Sequence, residues 1–246
     1  MDVMGLLDKA VALDVRVIQV ADNLPLHMLA ASELRAFHTR AADLGIGIEV
    51  GTRGIASDHL YTYLQIATRF KSPILRVVVD AADHHPEADE VVSTLRQVMP
   101  EFERANVCLA IENHDRFKAG ALAEIISHVG SRCVGVCLDT VNSFGALEGP
   151  DVVLQALGRM VVNLHVKEFI VERAGHRMGF TIEGRPAGQG MLNVPWVLQE
   201  LRGLGRDVNA ILELWTPPEP NLEDTVAKED AWAVSSVRYL RTLIPD

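Results

Sequence analysis

The chain has 246 residues, 48% of them hydrophobic, enough for one large core. Its formal net charge of -10 argues against nucleic acid, which is held by clustered Lys and Arg. It has no run of about 18 apolar residues, and its acidic N-terminus lacks a basic n-region. Neither a membrane span nor a secretion signal is therefore expected, and the protein reads as cytoplasmic.

Helical apolar spacing over 3–13 precedes the strand VRVIQV at 15–20. An amphipathic helix over 29–45 takes Ser32 as N-cap and Gly45 as its stop. IGIEV at 46–50 is a strand, 57–70 a helix, and ILRVVVD at 74–80 a strand. The loop holding His84, His85 and Pro86 reads as a solvated connection rather than a second metal site, and leads into a helix ending near Ala105. CLAIEN at 108–113, a helix at 119–129, VGVCLD at 134–139 and a helix at 150–158 follow. VVNLHVKEF at 161–169 ends in a long insertion. A helix from about Pro195 to Leu204, AILELW at 210–215 and a last helix over 222–243 complete the chain.

Alternating strands and helices imply right-handed βαβ units and a parallel sheet. No composition break divides the chain, so residues 1–246 read as one domain. About seven strands are counted, and a helix opens the chain where an eightfold barrel opens on a strand. The expectation is an α/β fold, a (β/α)8 TIM barrel lacking its first strand, with the gap narrowed, covered by a neighbouring chain or left open. A doubly wound sheet would gather its site at one switch point. Here polar residues end nearly every strand (Glu49, Asp80, Glu112, Asp139, His165, Glu213), and no Gly-rich phosphate loop follows any of them.

Four strands share one design: apolar on both faces until a polar tip, as suits buried parallel strands with chemistry at their carboxyl ends. The tips are Glu112, Asp139, His165 and Glu213. Three carboxylates and one imidazole suit Mn²⁺ first, with Mg²⁺, Co²⁺, Fe²⁺ or Zn²⁺ able to substitute. Four protein ligands on an octahedral ion leave two positions for adjacent oxygens of a hydroxy-ketone. The ion would act as a Lewis acid on an enediolate, with Glu112 and Glu213 as the paired acid and base. Cys108, Cys133 and Cys137, an odd number within apolar strands, read as free thiols packed as small hydrophobes.

The stretches IEN (111–113), LDTVN (138–142), NLHVKE (163–168), GQG (188–190) and ELW (213–215) carry a resemblance over most of the chain. It resembles the xylose isomerase-like TIM-barrel superfamily, nearest in style to the tagatose/psicose 3-epimerase and hydroxypyruvate isomerase branch. The resemblance implies a small sugar or sugar-acid substrate and a metal held by Glu112, Asp139, His165 and Glu213. It also implies a homo-oligomer, dimer or tetramer. The same fold hosts apurinic endonucleases, but the charge balance and the single convergent histidine speak against that activity.

Two positions depart from the epimerase pattern: Asn142 stands where a histidine is usual, and Val171 where an arginine is usual. Both weaken the case for ordinary ketose 3-epimerisation. Lys167, on the face of His165, is able to supply a cation instead. The insertion at about 170–187 reads as a hairpin overhanging the metal, adding His176, Arg177, Arg185 and the nearby Gln189, and its arginines suit an anionic substrate. Glu49, Arg53, His114, Asn142, Lys167, Arg185 and Gln189 are the expected substrate contacts. The leading expectation is a metal-dependent isomerase or epimerase of a keto-sugar or sugar acid. The alternative is decarboxylation of a 3-oxo sugar acid, as in 3-oxo-isoapionate decarboxylases, and a third is an inactive sugar-binding barrel.

Overall fold

The computed structural model describes residues 1–176 and 178–244; the expectation placed on Arg177 lies outside the described residues. The strands are β1 (Val17–Val20), β2 (Gly47–Arg53), β3 (Ile74–Val78), β4 (Cys108–Glu112), β5 (Val134–Asp139), β6 (Val161–Val166), β7 (Phe169–Arg173), β8 (Phe180–Gly184) and β9 (Ala210–Leu212). The helices are α1 (Val3–Ala12), α2 (Ala31–Leu44), α3 (Ser57–Phe70), α4 (Ala88–Ala105), α5 (Ala119–Val129), α6 (Pro150–Leu157), α7 (Val194–Gly203) and α8 (Leu222–Arg241). No described helix is long and apolar enough to cross a membrane.

Seven strands pair in parallel in the order β1-β2-β3-β4-β5-β6-β9, forming a nearly closed barrel. No eighth strand completes it among the described residues. β1 and β9 approach within 8 Å at Cα without exchanging ladder hydrogen bonds, so the gap is narrowed to a seam. β7 and β8 form a separate antiparallel hairpin.

Alternation along each strand sorts the core into two parts. Outward residues such as Leu75, Leu109, Ile111, Val136, Leu138 and Leu164 pack with the helices in the main apolar cluster. Inside the barrel the apolar residues are few and mostly small: Ile74, Ala110 and Cys137, with Cys108 and Val162 against them. Barrel diameter grows with strand number, so seven strands leave less room inside than eight. Gly135 shows how little there is, since a Cβ there would stand 2.7 Å from Val162 Cγ1 and 2.8 Å from the Met160 carbonyl.

The bulge at Val162 matters for the site. Val136 pairs with Val161 but Cys137 pairs with Asn163, so Val162 is the extra residue. A bulge re-aims the side chains that follow it. Beyond it Asn163 lies opposite Cys137 and His165 opposite Asp139.

One capping expectation is corrected. Helix α2 begins at Ala31, so Ser32 lies inside the first turn and Ala30 is the N-cap. Glu33 supplies the missing side-chain cap by accepting from the Ala30 N–H at 2.7 Å. Gly45 does end the helix, at φ 68°, a left-handed conformation that costs glycine little.

Candidate metal centre

The C-terminal ends of β4, β5 and β6, with the residue after β9, bring Glu112, Asp139, His165 and Glu213 together. One ligand atom from each lies within 4.8 Å of all the others. His165 Nδ1 is 2.7 Å from Glu213 Oε2, 3.4 Å from Glu112 Oε2 and 4.0 Å from Asp139 Oδ2. Three of the four residues are buried, and Glu213, its side chain 36% exposed, faces the opening.

Each ligand is held by its own local device. Asp139 Oδ1 accepts from the Val141 and Asn142 amides at 2.7 and 2.8 Å, capping the turn that follows β5 and turning Oδ2 inwards. Asn113 accepts from the Asp139 amide at 2.7 Å and donates to its carbonyl at 2.9 Å, tying the tips of β4 and β5 together. Glu112 is gripped at both oxygens: Asn142 Nδ2 donates to Oε1 at 2.7 Å, and Arg76 Nε donates to Oε2. Arg76, 6% exposed, also donates to Asp22 at 3.2 Å and to the Thr52 carbonyl at 3.4 Å. Lys167 Nζ donates to Asn142 Oδ1 at 3.1 Å and stands 3.0 Å from Asp139 Oδ2 and 2.8 Å from Glu213 Oε1.

Below the ligands lies a carboxamide network. The buried Glu49 accepts from Gln19 at 3.1 Å, Asn163 at 2.9 Å and Asn209 at 2.6 Å. Gln19 in turn places its Oε1 2.7 Å from His165 Nε2. A carbonyl oxygen only accepts, so Nε2 carries the proton and Nδ1 is the nitrogen turned to the carboxylates.

The electrostatics follow from burial and pairing. Burial alone would raise Glu213, but His165 and Lys167 beside it hold its carboxyl well below the usual range. Burial would lower Lys167; the Asp139 and Glu213 carboxylates outweigh it and raise the ammonium. Asp139 is pushed up by burial against the pull of Lys167. Burial drives the Cys137 thiol up to about 11, leaving it uncharged near neutrality.

These residues fit a divalent ion. Asp139 Oδ2 and His165 Nδ1 are buried atoms without a hydrogen bond, though Lys167 Nζ stands 3.0 Å from the first and Glu213 Oε2 2.7 Å from the second. Buried polar atoms are rarely left so, and an ion shared by both would account for the pair. The donors are mostly oxygen with one imidazole, which suits Mn²⁺ or Mg²⁺.

Other expected contacts are placed less centrally. Glu49 points into the barrel with both oxygens engaged, a placement that suits orienting His165 rather than meeting a sugar. Arg53 sits at the rim against Asp22 at 3.4 Å, and the part-exposed His114 pairs with Asp115. Arg185 is bound within the hairpin, to Glu172 at 3.2 Å and Glu183 at 3.4 Å, and Gln189 is exposed. His84 pairs with Glu90 at 2.8 Å and His85 approaches Asp80 at 3.6 Å, both exposed. Sequence reasoning passed over Gln19, Arg76 and Asn209. The available signal was a lone polar residue inside VIQV and ILRVV.

The xylose isomerase-like TIM barrel model matches residues 7–243. The chain is 38% identical over 229 residues to the 3-oxo-isoapionate decarboxylase of Pectobacterium atrosepticum, covering 93% of this chain and 83% of that protein. Among solved structures it resembles D-psicose 3-epimerase from Clostridium cellulolyticum H10 with D-tagatose: TM-score 0.78, 14% identity, 99% of this chain and 94% of that one. It also resembles a xylose isomerase-like TIM barrel protein from Mycobacterium smegmatis in complex with magnesium: TM-score 0.73, 14% identity, 96% and 88% covered.

Proposed function

This chain belongs to the xylose isomerase-like TIM barrel family, and on that premise we propose that it is a divalent-metal-dependent decarboxylase of a 3-oxo sugar acid. The observation that carries this reading is the double grip on Glu112. Epimerisation through paired groups needs one to remove a proton and another to return it from the opposite side. Asn142 and Arg76 each hold one Glu112 oxygen and the side chain is 1% exposed, so Glu112 is fixed and sealed away from proton exchange with a sugar. Glu213 is also engaged at both oxygens, by His165 and Lys167, but its side chain is 36% exposed at the mouth, so it is the member of the pair that a substrate reaches.

Decarboxylation asks for less. The bond between C2 and the carboxyl carbon breaks, and its electron pair passes into the neighbouring carbonyl to give an enediolate. Carbon dioxide leaves, and C2 takes up one proton, so a single open acid/base group is enough. Glu112, Asp139, His165 and Glu213 would hold a divalent ion, which would supply the Lewis acidity that favours electron flow into the carbonyl. Asn142 and Lys167, both beside the ligand cluster, would serve as hydrogen-bond donors to substrate oxygens. Arg53 adds positive charge at the rim.

Charge points the same way. Among the groups touching the ligand cluster, the carboxylates of Glu112, Asp139 and Glu213 face the cations Arg76 and Lys167. A divalent ion turns that deficit of one positive charge into an excess of one, which a substrate carboxylate cancels. The relative at 38% identity is named for this reaction class.

The test is to strip the protein with a chelator, restore Mn²⁺, and offer 3-oxo sugar acids beside neutral ketoses, reading both carbon dioxide and isomers. Carbon dioxide release from the acid is expected, lost on chelation. Glu213→Gln should abolish turnover while sparing most substrate binding. Epimerised ketose without carbon dioxide would return the assignment to the isomerases, and metal-independent binding without turnover would leave a sugar-binding barrel.

A further inference from the structure

We infer that Gln19 and Glu49 are positioning residues that dictate which nitrogen of His165 meets the metal, and that they couple this choice to closure of the barrel seam. The inference rests on the metal-site reading above. Its basis is that a single buried carboxylate gathers groups from both lips of the seam. Gln19 lies on β1, one unpaired edge; Asn209 directly precedes β9, the other. Glu49 accepts from both, and from Asn163 on β6 beneath the site.

Gln19 has three bonds and no choice of orientation. Its Nε2 donates to Glu49 Oε2 at 3.1 Å and to Asn163 Oδ1 at 3.0 Å. An amide turned over would set its carbonyl against the Glu49 carboxylate, so these acceptors direct its Oε1 to His165 Nε2, 2.7 Å away. Asn163 is fixed in the same manner, donating to Glu49 and accepting from Gln19 and Cys137 Sγ. His165 is left with Nδ1 as its metal-facing nitrogen. Residues that orient a metal-binding histidine typically change metal affinity by 10–100-fold on mutation.

Along the seam no backbone ladder joins β1 to β9. The contacts Gln19–His165, Gln19–Asn163 and Glu49–Asn209 cross the barrel interior where a strand's hydrogen bonds would otherwise close it. Opening the seam would swing Gln19 away from His165. Metal binding, which needs Nδ1 held in place, therefore favours the closed seam by linkage.

The experiment titrates chelator-stripped wild type, Gln19→Met and Asn209→Ala with Mn²⁺ by calorimetry. It also records the imidazole ¹⁵N spectrum of the Zn²⁺-loaded wild type and follows backbone hydrogen exchange with and without Mn²⁺. Gln19→Met should bind Mn²⁺ about 10–100-fold more weakly, and Asn209→Ala about tenfold more weakly. The ¹⁵N spectrum should show metal on Nδ1 and a protonated Nε2. Mn²⁺ should slow exchange in β1 and β9 of the wild type. A Gln19→Met protein with wild-type affinity, metal on Nε2, or unchanged exchange at the seam would overturn the inference. If Gln19→Met does not fold, Asn209→Ala, which leaves Gln19 and every ligand in place, decides it. Wild type that binds no Mn²⁺ would overturn the metal-site reading itself, an outcome distinct from normal binding in both variants.

Discussion

Replacing Arg76 by methionine tests the structure at its most heavily charged buried contact. The guanidinium donates to Glu112 Oε2, to Asp22 and to the Thr52 carbonyl, and the Glu112 side chain beneath it is 1% exposed. Methionine keeps the apolar stem and removes every donor. Breaking a buried ion pair from one side costs about 3–5 kcal/mol, because the partner charge is stranded without water. Asn142 still donates to Oε1 at 2.7 Å and His165 stands 3.4 Å away, so the lower end, about 3 kcal/mol, is expected. That is a large share of the roughly 5–15 kcal/mol that keeps a typical domain folded.

Urea unfolding in the presence of chelator should show the loss as a lower midpoint. With a slope near 3 kcal/mol per M the midpoint falls by about 1 M. Adding Glu112→Gln to the same chain removes the stranded charge and should recover much of the loss, a coupling of about 0.5–3 kcal/mol. A single-variant loss below about 1 kcal/mol, or a double variant no more stable than Arg76→Met, would refute the buried pair as described.

Three further outcomes are expected. Mn²⁺ at a hundred times its dissociation constant should add about 2.7 kcal/mol and raise Tm by roughly 5–10 °C in a thermal scan, an increase that chelator reverses. Gly190→Ala would place a Cβ 2.3 Å from the Phe169 carbonyl and 2.5 Å from Glu168 Oε1, crowding the buried carboxylate that accepts from the Gly188 and Leu192 amides. A stability loss of about 1–3 kcal/mol, read by urea unfolding, should follow. Burial pushes the Cys108 thiol up to about 12 and the Cys137 thiol up to about 11, so at pH 8 at most ~0.1% is reactive thiolate. Thiol reagents should label these two cysteines slowly in the folded protein and fully in denaturant; rapid native labelling of Cys137 would contradict the interior packing.

The barrel was legible because what announces it is local. Period-two alternation in LAIE, GVCLD and NLHVK, each ending in a polar residue, shows on the strand itself which face is inner and where the chemistry lies. The convergence of Glu112, Asp139, His165 and Glu213 followed, since parallel strands in register place their carboxyl ends on one rim. The helix over residues 3–12 and the missing eighth strand were readable for the same reason.

Partner choice was not local. Gln19 meets His165 across 146 positions of chain and Glu49 meets Asn209 across 160. The bulge at Val162 changes the register between β5 and β6, a property of two strands together that the text of either one does not carry. What holds Glu112 depended on Arg76, a lone cation in an otherwise apolar strand. Amino-acid order by itself determined the strand faces, the polar tips and a donor set suited to a divalent ion. Only the folded barrel decided which of those tips are sealed in and which reaches the opening, because neighbours are chosen by distance in space, and folding alone sets that distance.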